Sequence, residues 1–357
     1  MKTKIFNRKI VGAKFTSPLV GAKFTSQYVF ILMIALLLSS CKNVNLQSNF
    51  ETTINTTNNI ASNNSNQEIL EIAGEDFIVC DYNLFDRSKI YMLKSHQDGQ
   101  MLSIVIKNKN DELIIFDGGR IDDGKYLCEF IKSFGGRAKY WFLTHIHDDH
   151  LGAIYEIFMN YTDEIYVENL CYNFADLDWY YEKAGGDATA LILFNQAKDK
   201  YLDSLRNKNL NITINDNLRK NDSFGLDDIK VKVMNNIYKL DSDSINNSSI
   251  AYKVDIEDKT MMILGDMGYE AGELFYKEYA DNNDLKSDIV VMAHHGQGGV
   301  DYPVYQKISP IIALWPTTEY IYENKSHNLH TDDTKKWLQD LGVKENILSY
   351  KSNYIVQ

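Results

Sequence analysis

The chain has eight histidines, and five of them fall in two short polar clusters. One is Thr144-His145-Ile146-His147-Asp148-Asp149-His150, and the other is His294-His295-Gly296. Neutral imidazoles and ionised carboxylates are the ligands that zinc and similar divalent cations prefer. His145 and His147 are two residues apart, so an extended loop turns both to one side. Asp149 and His150 follow at the start of a helix and face another side of the cluster. The first pair is therefore expected to hold one ion and the second pair another. Asp266, in Leu264-Gly265-Asp266, is an anion at a strand end and suited to bridge the two ions. Adjacent side chains on an extended strand point opposite ways, so one of His294 and His295 completes the second site. The spacing does not choose between them. Burying so many polar groups without a cation would demand many hydrogen bonds. Water held between two cations loses several pKa units and becomes a nucleophile at neutral pH. No Gly-x-Ser-x-Gly elbow and no phosphate-binding glycine loop is present. The chemistry indicated is metal-assisted hydrolysis.

Positioning these groups falls to strands. Tyr140-Trp141-Phe142-Leu143 precedes the first cluster and Ile289 to Ala293 the second, and both runs read as buried strands. Leu102 to Ile106 and Glu112 to Phe116 read as two more, the latter ending in Asp117-Gly118-Gly119, where glycine permits a sharp reversal. Gly124 to Phe134 carries Leu127, Phe130, Ile131 and Phe134 at helical spacing, and a helix is expected from Leu151 towards Met159. Ile229 to Val233 and Ile250 to Ile256 alternate as half-buried strands, and Thr260 to Leu264 is a buried one. The body is α/β, with no linker to divide it.

At 357 residues, with 44% hydrophobic and 24% charged residues, the composition is that of a globular protein. The formal charge is −12, and the first forty residues contribute six basic groups and no acid. The remainder is more acidic still, which disfavours stable nucleic-acid binding. The basic start leads into the apolar run Val29 to Leu38, too short for a comfortable membrane span. Asn, Thr and Ser dominate residues 42–67, too little apolar surface to order a chain, so residues 41–70 read as a tether. Cys80, Cys128 and Cys171 remain in the body, an odd number without the spacing of a disulfide framework.

Two resemblances follow from these residues. Leu38-Ser39-Ser40-Cys41 resembles the bacterial lipobox, which implies a signal peptide over residues 1–40, cleavage before Cys41 and lipidation of its sulfur. Acyl chains such as palmitate would then anchor the protein to the outer face of a bacterial cell membrane. Residues 71–357 resemble the metallo-β-lactamase superfamily through His145-x-His147-x-Asp149-His150, with Asp117-Gly118-Gly119, Leu264-Gly265-Asp266 and His294-His295-Gly296 in matching order. That resemblance implies a four-layer αβ/βα sandwich with two divalent ions at one edge, Zn2+ or else Mn2+. It also implies that Asp149 orients the nucleophile and accepts its proton, besides binding metal. The paired histidines, Asn247-Ser248-Ser249 and Ala313-Leu314-Trp315-Pro316-Thr317 look like one branch of the superfamily. That branch includes the extracytoplasmic domain of DNA-uptake competence proteins and a phosphorylcholine esterase.

One departure stands out. Many members supply a third histidine to the first ion, yet no histidine lies between His150 and His294. Asp176 and Asp178 are the candidate substitutes. For substrate, the aromatic segment Tyr161 to Tyr181, with Trp179 and Tyr180, is expected to overhang the site or to pack as an ordinary helix pair. His327 and His330 are candidates to protonate a leaving group or bind phosphate. The function expected is a lipid-anchored extracytoplasmic metallo-hydrolase acting on a small-molecule or cell-envelope phosphoester. Hydrolysis of lactones, β-lactams or other carboxyl derivatives is the alternative within enzymes. A metal-containing binding lipoprotein without catalysis is the alternative outside them, and Asp149 argues against it.

Overall fold

The computed structural model describes residues 68–357. The leader, Cys41 and the tether up to residue 67 lie outside the described residues. The first strand starts at Ile69, two residues ahead of the boundary read from composition. Residues 68–357 lie within one unit. Among the described residues no helix is long and apolar enough to cross a membrane, and Cys80, Cys128 and Cys171 are free thiols.

The chain is built on two sheets. Strands β1 (Ile69–Ile72), β2 (Glu75–Cys80), β3 (Lys89–Met92), β4 (Ser103–Lys107), β5 (Leu113–Asp117) and β6 (Arg137–Phe142) belong to the first, with β7 (Tyr166–Val167), β8 (Asn169–Cys171) and β9 (Thr213–Asn215). The second holds β10 (Ser223–Leu226), β11 (Ile229–Val233), β12 (Tyr252–Ile256), β13 (Lys259–Ile263), β14 (Ile289–Val291), β15 (Ile312–Trp315) and β16 (Glu345–Leu348) in chain order. The last strand, β17 (Asn353–Val356), returns to the first sheet and lies between β2, to which it is parallel, and β3, to which it is antiparallel. The first sheet thus has ten strands and the second seven.

Helices cover the outer faces. Over the first sheet lie α1 (Gly124–Ser133), α2 (Asp148–Asn160), α3 (Leu177–Ala184) and α4 (Thr189–Asn207). The short α5 (Ser244–Asn247) precedes β12, and α6 (Tyr269–Glu278), α7 (Tyr302–Ile308), the short α8 (Glu319–Tyr322) and α9 (Thr331–Asp340) follow β13. Three apolar cores fill the three gaps between four layers. Leu127, Phe130, Ile154 and Phe158 of the first helical layer pack on Val105, Ile115 and Trp141. Ile104, Ile114 and Phe142 meet Val231, Val254 and Leu314 between the sheets. Phe275, Val304 and Leu338 pack on Val290, Ala313 and Trp315 at the far side. This is the four-layer αβ/βα sandwich expected from the sequence. The layering explains why β14, β15 and β5 up to Phe116 are unbroken apolar runs, since both faces of each are buried. By contrast β11 alternates, with Lys230 exposed and Val231 buried.

Candidate metal centre

The clustered histidines lie where strand ends from both sheets converge. β5 ends in Asp117, β6 runs through Leu143 into Thr144 and His145, β13 leads to Asp266, β14 leads to His294 and His295, and β15 to Pro316. β5 is parallel to β6, and β13, β14 and β15 are parallel in series, so their carboxyl ends share one edge. Hydrogen bonds tie the two sheets together there: Ile250 N–H donates to Thr144 O at 3.0 Å, and the Tyr252 hydroxyl to Leu143 O at 2.7 Å. The helix read as beginning at Leu151 begins at Asp148. Two acids in its first turn complement the positive end of the helix dipole, so Asp149 and His150 ride on the helix itself.

Each of three imidazoles is held by its Nδ1. His150 Nδ1 donates to Asp117 Oδ2 at 2.7 Å. His295 Nδ1 donates to the Pro316 carbonyl at 2.6 Å. The Thr144 hydroxyl donates to Asp117 Oδ2 at 2.7 Å, so its oxygen accepts from His145 Nδ1 at 3.0 Å. Fixing Nδ1–H in this way aims the Nε2 lone pairs elsewhere. They aim at each other and at two buried acids. His150 Nε2 is 3.2 Å from Asp266 Oδ1, and His145 Nε2 is 3.8 Å from Asp266 Oδ2. His295 Nε2 is 3.2 Å from Asp149 Oδ2 and 3.4 Å from Asp266 Oδ2.

These atoms form two groups of potential ligands, His145 with His150 and Asp266, and Asp149 with His150 and His295. Within each group the ligand atoms lie within 4.8 Å of one another. His150 Nε2, His295 Nε2 and Asp266 Oδ1 are buried with no hydrogen-bond partner among the described residues. Buried polar atoms are rarely left so, and cations would satisfy all three at once. The donor set, imidazole nitrogen with carboxylate oxygen, suits zinc and its neighbours. The clusters fit a dinuclear metal site.

The electrostatics agree. Burial holds His145 and His147 below the ordinary histidine value. Burial also opposes protonation of His295, but Asp266 and Asp149 outweigh it and raise its pKa to about 9. His150 is raised in the same way by Asp266 and Asp117. Burial works against ionising Asp149 and Asp266, yet His295 and His150 hold both below the usual carboxylate range. Two buried carboxylates thus demand positive charge, and protons and divalent cations compete to supply it at the same lone pairs.

The structure brings His145, His147, Asp149, His150, Asp266 and His295 together, with a different division of labour from that expected. His150 belongs to both groups, whereas the sequence reading paired it with Asp149 alone. His147 occupies the position before the first turn of α2 and places its Nδ1 3.0 Å from His145 Nε2. The alternation argument for His294 and His295 fails because β14 ends at Val291. Both histidines have left-handed backbones (φ 47 and 56), so neither lies on an extended strand. His295 is fully buried among the ligands, while His294 sits at the edge, its Nε2 4.0 Å from Asp266 Oδ2 and 3.4 Å from the Asn246 amide. Gly296 has φ 84, and a Cβ there would collide with the Trp315 ring.

The proposed substitutes for a third histidine do not reach the centre. Asp176 and Asp178 are both exposed, and Asp176 pairs with Lys239 at 3.4 Å. Tyr180 is a core residue, fully buried, its hydroxyl 2.9 Å from Ser248 Oγ, so it is no substrate wall. Trp179 is partly buried against Tyr180, and Tyr172 and Phe174 pack on Phe194 of α4. His327 is exposed in the loop before α9. His330 is exposed too, but its backbone N–H donates to Gln297 O at 2.9 Å, beside the turn that carries His295, and its ring lies edge-on to Tyr269.

Sequence reasoning missed three contributors. Asp117 was read as a turn, yet its carboxylate also accepts the Thr144 N–H at 2.8 Å and anchors both Thr144 and His150. Ser249 Oγ accepts the Asp266 N–H at 3.1 Å. Arg120 pairs with Asp148 at 2.9 Å and brings Nη2 to 3.8 Å from Asp149 Oδ2. The hint was Asp117-Gly118-Gly119 itself, a charged residue committed to a strand end, with Arg120 directly after it.

No protein-family model matches the chain, and no curated protein matches it. Solved structures similar to it include the metallo-β-lactamase fold protein YhfI from Bacillus subtilis. That likeness has 10% identity and a TM-score of 0.43, over 76% of this chain and 99% of the other. CmlA, a diiron β-hydroxylase from Streptomyces venezuelae, is similar at 9% identity and a TM-score of 0.46, over 74% of this chain and 53% of the other. Unliganded yeast PDE1 is similar at 9% identity and a TM-score of 0.44, over 76% and 97%.

Proposed function

We propose that the protein is a metal-dependent hydrolase of phosphodiesters, held at the outer face of a bacterial membrane through a lipidated Cys41. The observation that carries the hydrolase reading is the convergence of three Nδ1-anchored imidazoles with Asp149 and Asp266. His145 and Asp266 would hold one divalent cation and Asp149 and His295 the other, with the single Nε2 lone pair of His150 within reach of either and His147 and His294 beside them. Zinc is the proposed metal. Cations bound there supply Lewis acidity, lowering the pKa of water and polarising the ester under attack. Asp149 has a second task. Its carboxylate is kept ionised by His295 and stands at the edge facing Arg120, where it can orient water and take up its proton. Asp117 and Thr144 keep the His150 and His145 rings from turning, and the Pro316 carbonyl does the same for His295. The choice of a phosphodiester is supported by the motif resemblance, and the anchor by the lipobox alone.

Purified protein would be assayed for bound metal and for cleavage of bis-p-nitrophenyl phosphate, p-nitrophenyl phosphorylcholine and nitrocefin. Diester cleavage that disappears in His145→Ala and Asp149→Ala is the expected result. Cleavage of nitrocefin or lactones without any phosphoester turnover would move the substrate class to carboxyl derivatives. Metal without turnover of any substrate would favour a binding lipoprotein. For the anchor, Cys41→Ser should shift the protein from the membrane to the soluble fraction.

A further inference from the structure

Among the described residues Arg120 is the one guanidinium placed against the metal centre, and it is held far more firmly than a surface arginine needs. Its backbone N–H donates to Asp123 Oδ2 at 3.1 Å, and Asp123 is itself buried. The same carboxylate accepts the His96 N–H through Oδ1 at 2.8 Å, which draws the loop after β3 over the arginine. From that loop the Gln100 carbonyl accepts from Arg120 Nε at 3.1 Å. Gly99 lets the loop come so close, since a Cβ there would lie 2.7 Å from Nε. Nη1 donates to Asp148 at 2.9 Å. Nη2 makes no hydrogen bond among the described residues, and it points to the rim of the centre, 3.8 Å from Asp149 Oδ2. That distance is too long for a hydrogen bond, so the contact is an ion pair that leaves the Nη2 protons unpaired. The side chain is 29% exposed, so solvent and solutes reach it.

An exposed arginine–aspartate pair stabilises little, so the bond to Asp148 does not account for this bracing. A planar fork with two sides tied down and one edge unpaired is suited to a tetrahedral oxyanion. We infer that Arg120 binds a non-bridging oxygen of the substrate phosphoryl group through Nη2, as the anion-recognition residue of the centre. The inference deepens the phosphodiesterase reading and names the group that selects an anionic ester over a neutral one.

Calorimetric titration of inorganic phosphate into the metal-loaded protein tests it, with metal content measured on the same samples. Arg120→Gln should bind phosphate about tenfold more weakly at unchanged metal content, and Arg120→Lys should fall between it and the wild type. Arg137→Gln, at the start of β6 and paired with Glu168, should bind phosphate as the wild type does. Equal affinity in the wild type and Arg120→Gln would overturn the inference. So would no phosphate binding by the wild type, equal weakening by Arg137→Gln, or loss of metal from Arg120→Gln, which would make the arginine a scaffold for Asp149. Diester turnover is read separately: a wild type that binds phosphate through Arg120 but cleaves no diester would refute the phosphodiesterase reading and leave the anion site standing.

Discussion

Asp117 shows how much of a metal centre can rest on a residue that need not touch the metal. Its two oxygens take the Thr144 amide, the Thr144 hydroxyl and the His150 Nδ1–H. Asp117→Asn keeps the shape but weakens the grip on His150, and metal affinity should fall about 10–100-fold, measured by competition with a chelating dye. The histidines themselves were legible because five ligands of a few residue types sit at short spacing. Asp117, Ser249 and Arg120 were not, since what each does depends on a partner more than fifteen residues away. A pH test belongs at this scale too. His295 is raised from 6.5 to about 9 by its acid neighbours, so protonation contributes stability that is complete below about 6.5 and lost as pH rises through about 9. With metal chelated, the melting temperature should fall across that window. With metal bound the proton is displaced and the fall should vanish; an identical pH profile for both forms would contradict the assignment of His295 as a ligand.

At the level of elements, periodicity located the strands well and the turns badly. β5, β11 and β13 lie within a residue of where apolar runs and alternation put them, and β6 starts three residues ahead of its apolar run. The turn after β14 was misjudged because the apolar run continues through Met292 and Ala293, while the backbone has already left the strand. Nothing in local composition announces two consecutive non-glycine residues with positive φ. Such a turn is costly, and Gly296 and the Trp315 ring pressed against it help to hold it. Gly296→Ala should therefore cost about 2 kcal/mol or more in stability and release His295 from the centre, seen as a lower denaturation midpoint together with loss of one metal equivalent. A fully metallated variant of normal stability would mean the turn tolerates a side chain. Another join is carried by Glu257, whose carboxylate accepts the N–H groups of Asp86, Arg87 and Ser88 and so fastens the loop before β3 to the β12–β13 turn. Those hydrogen bonds hold its pKa down against burial, and their contribution is lost as pH falls below the ordinary glutamate range.

For the whole molecule, the four layers could be expected from the resemblance, but the closing of the first sheet could not be read from any local pattern. β17 comes after the entire second sheet and enters between β2 and β3, 262 to 276 positions away along the chain in the pairs that it makes. A protein lacking residues 353–357 should lose the hydrogen bonds on both sides of that slot and fail to unfold cooperatively in a denaturant titration. Retention of a single sharp transition would show that the slot is dispensable. The same insertion sets a clock on biosynthesis. β2 and β3 leave the ribosome with a gap between them, and at about 5–20 residues per second the strand that fills it arrives some tens of seconds later. Throughout that interval the nascent sheet presents two unpaired edges, the kind of surface that chaperones capture and that promotes misassembly.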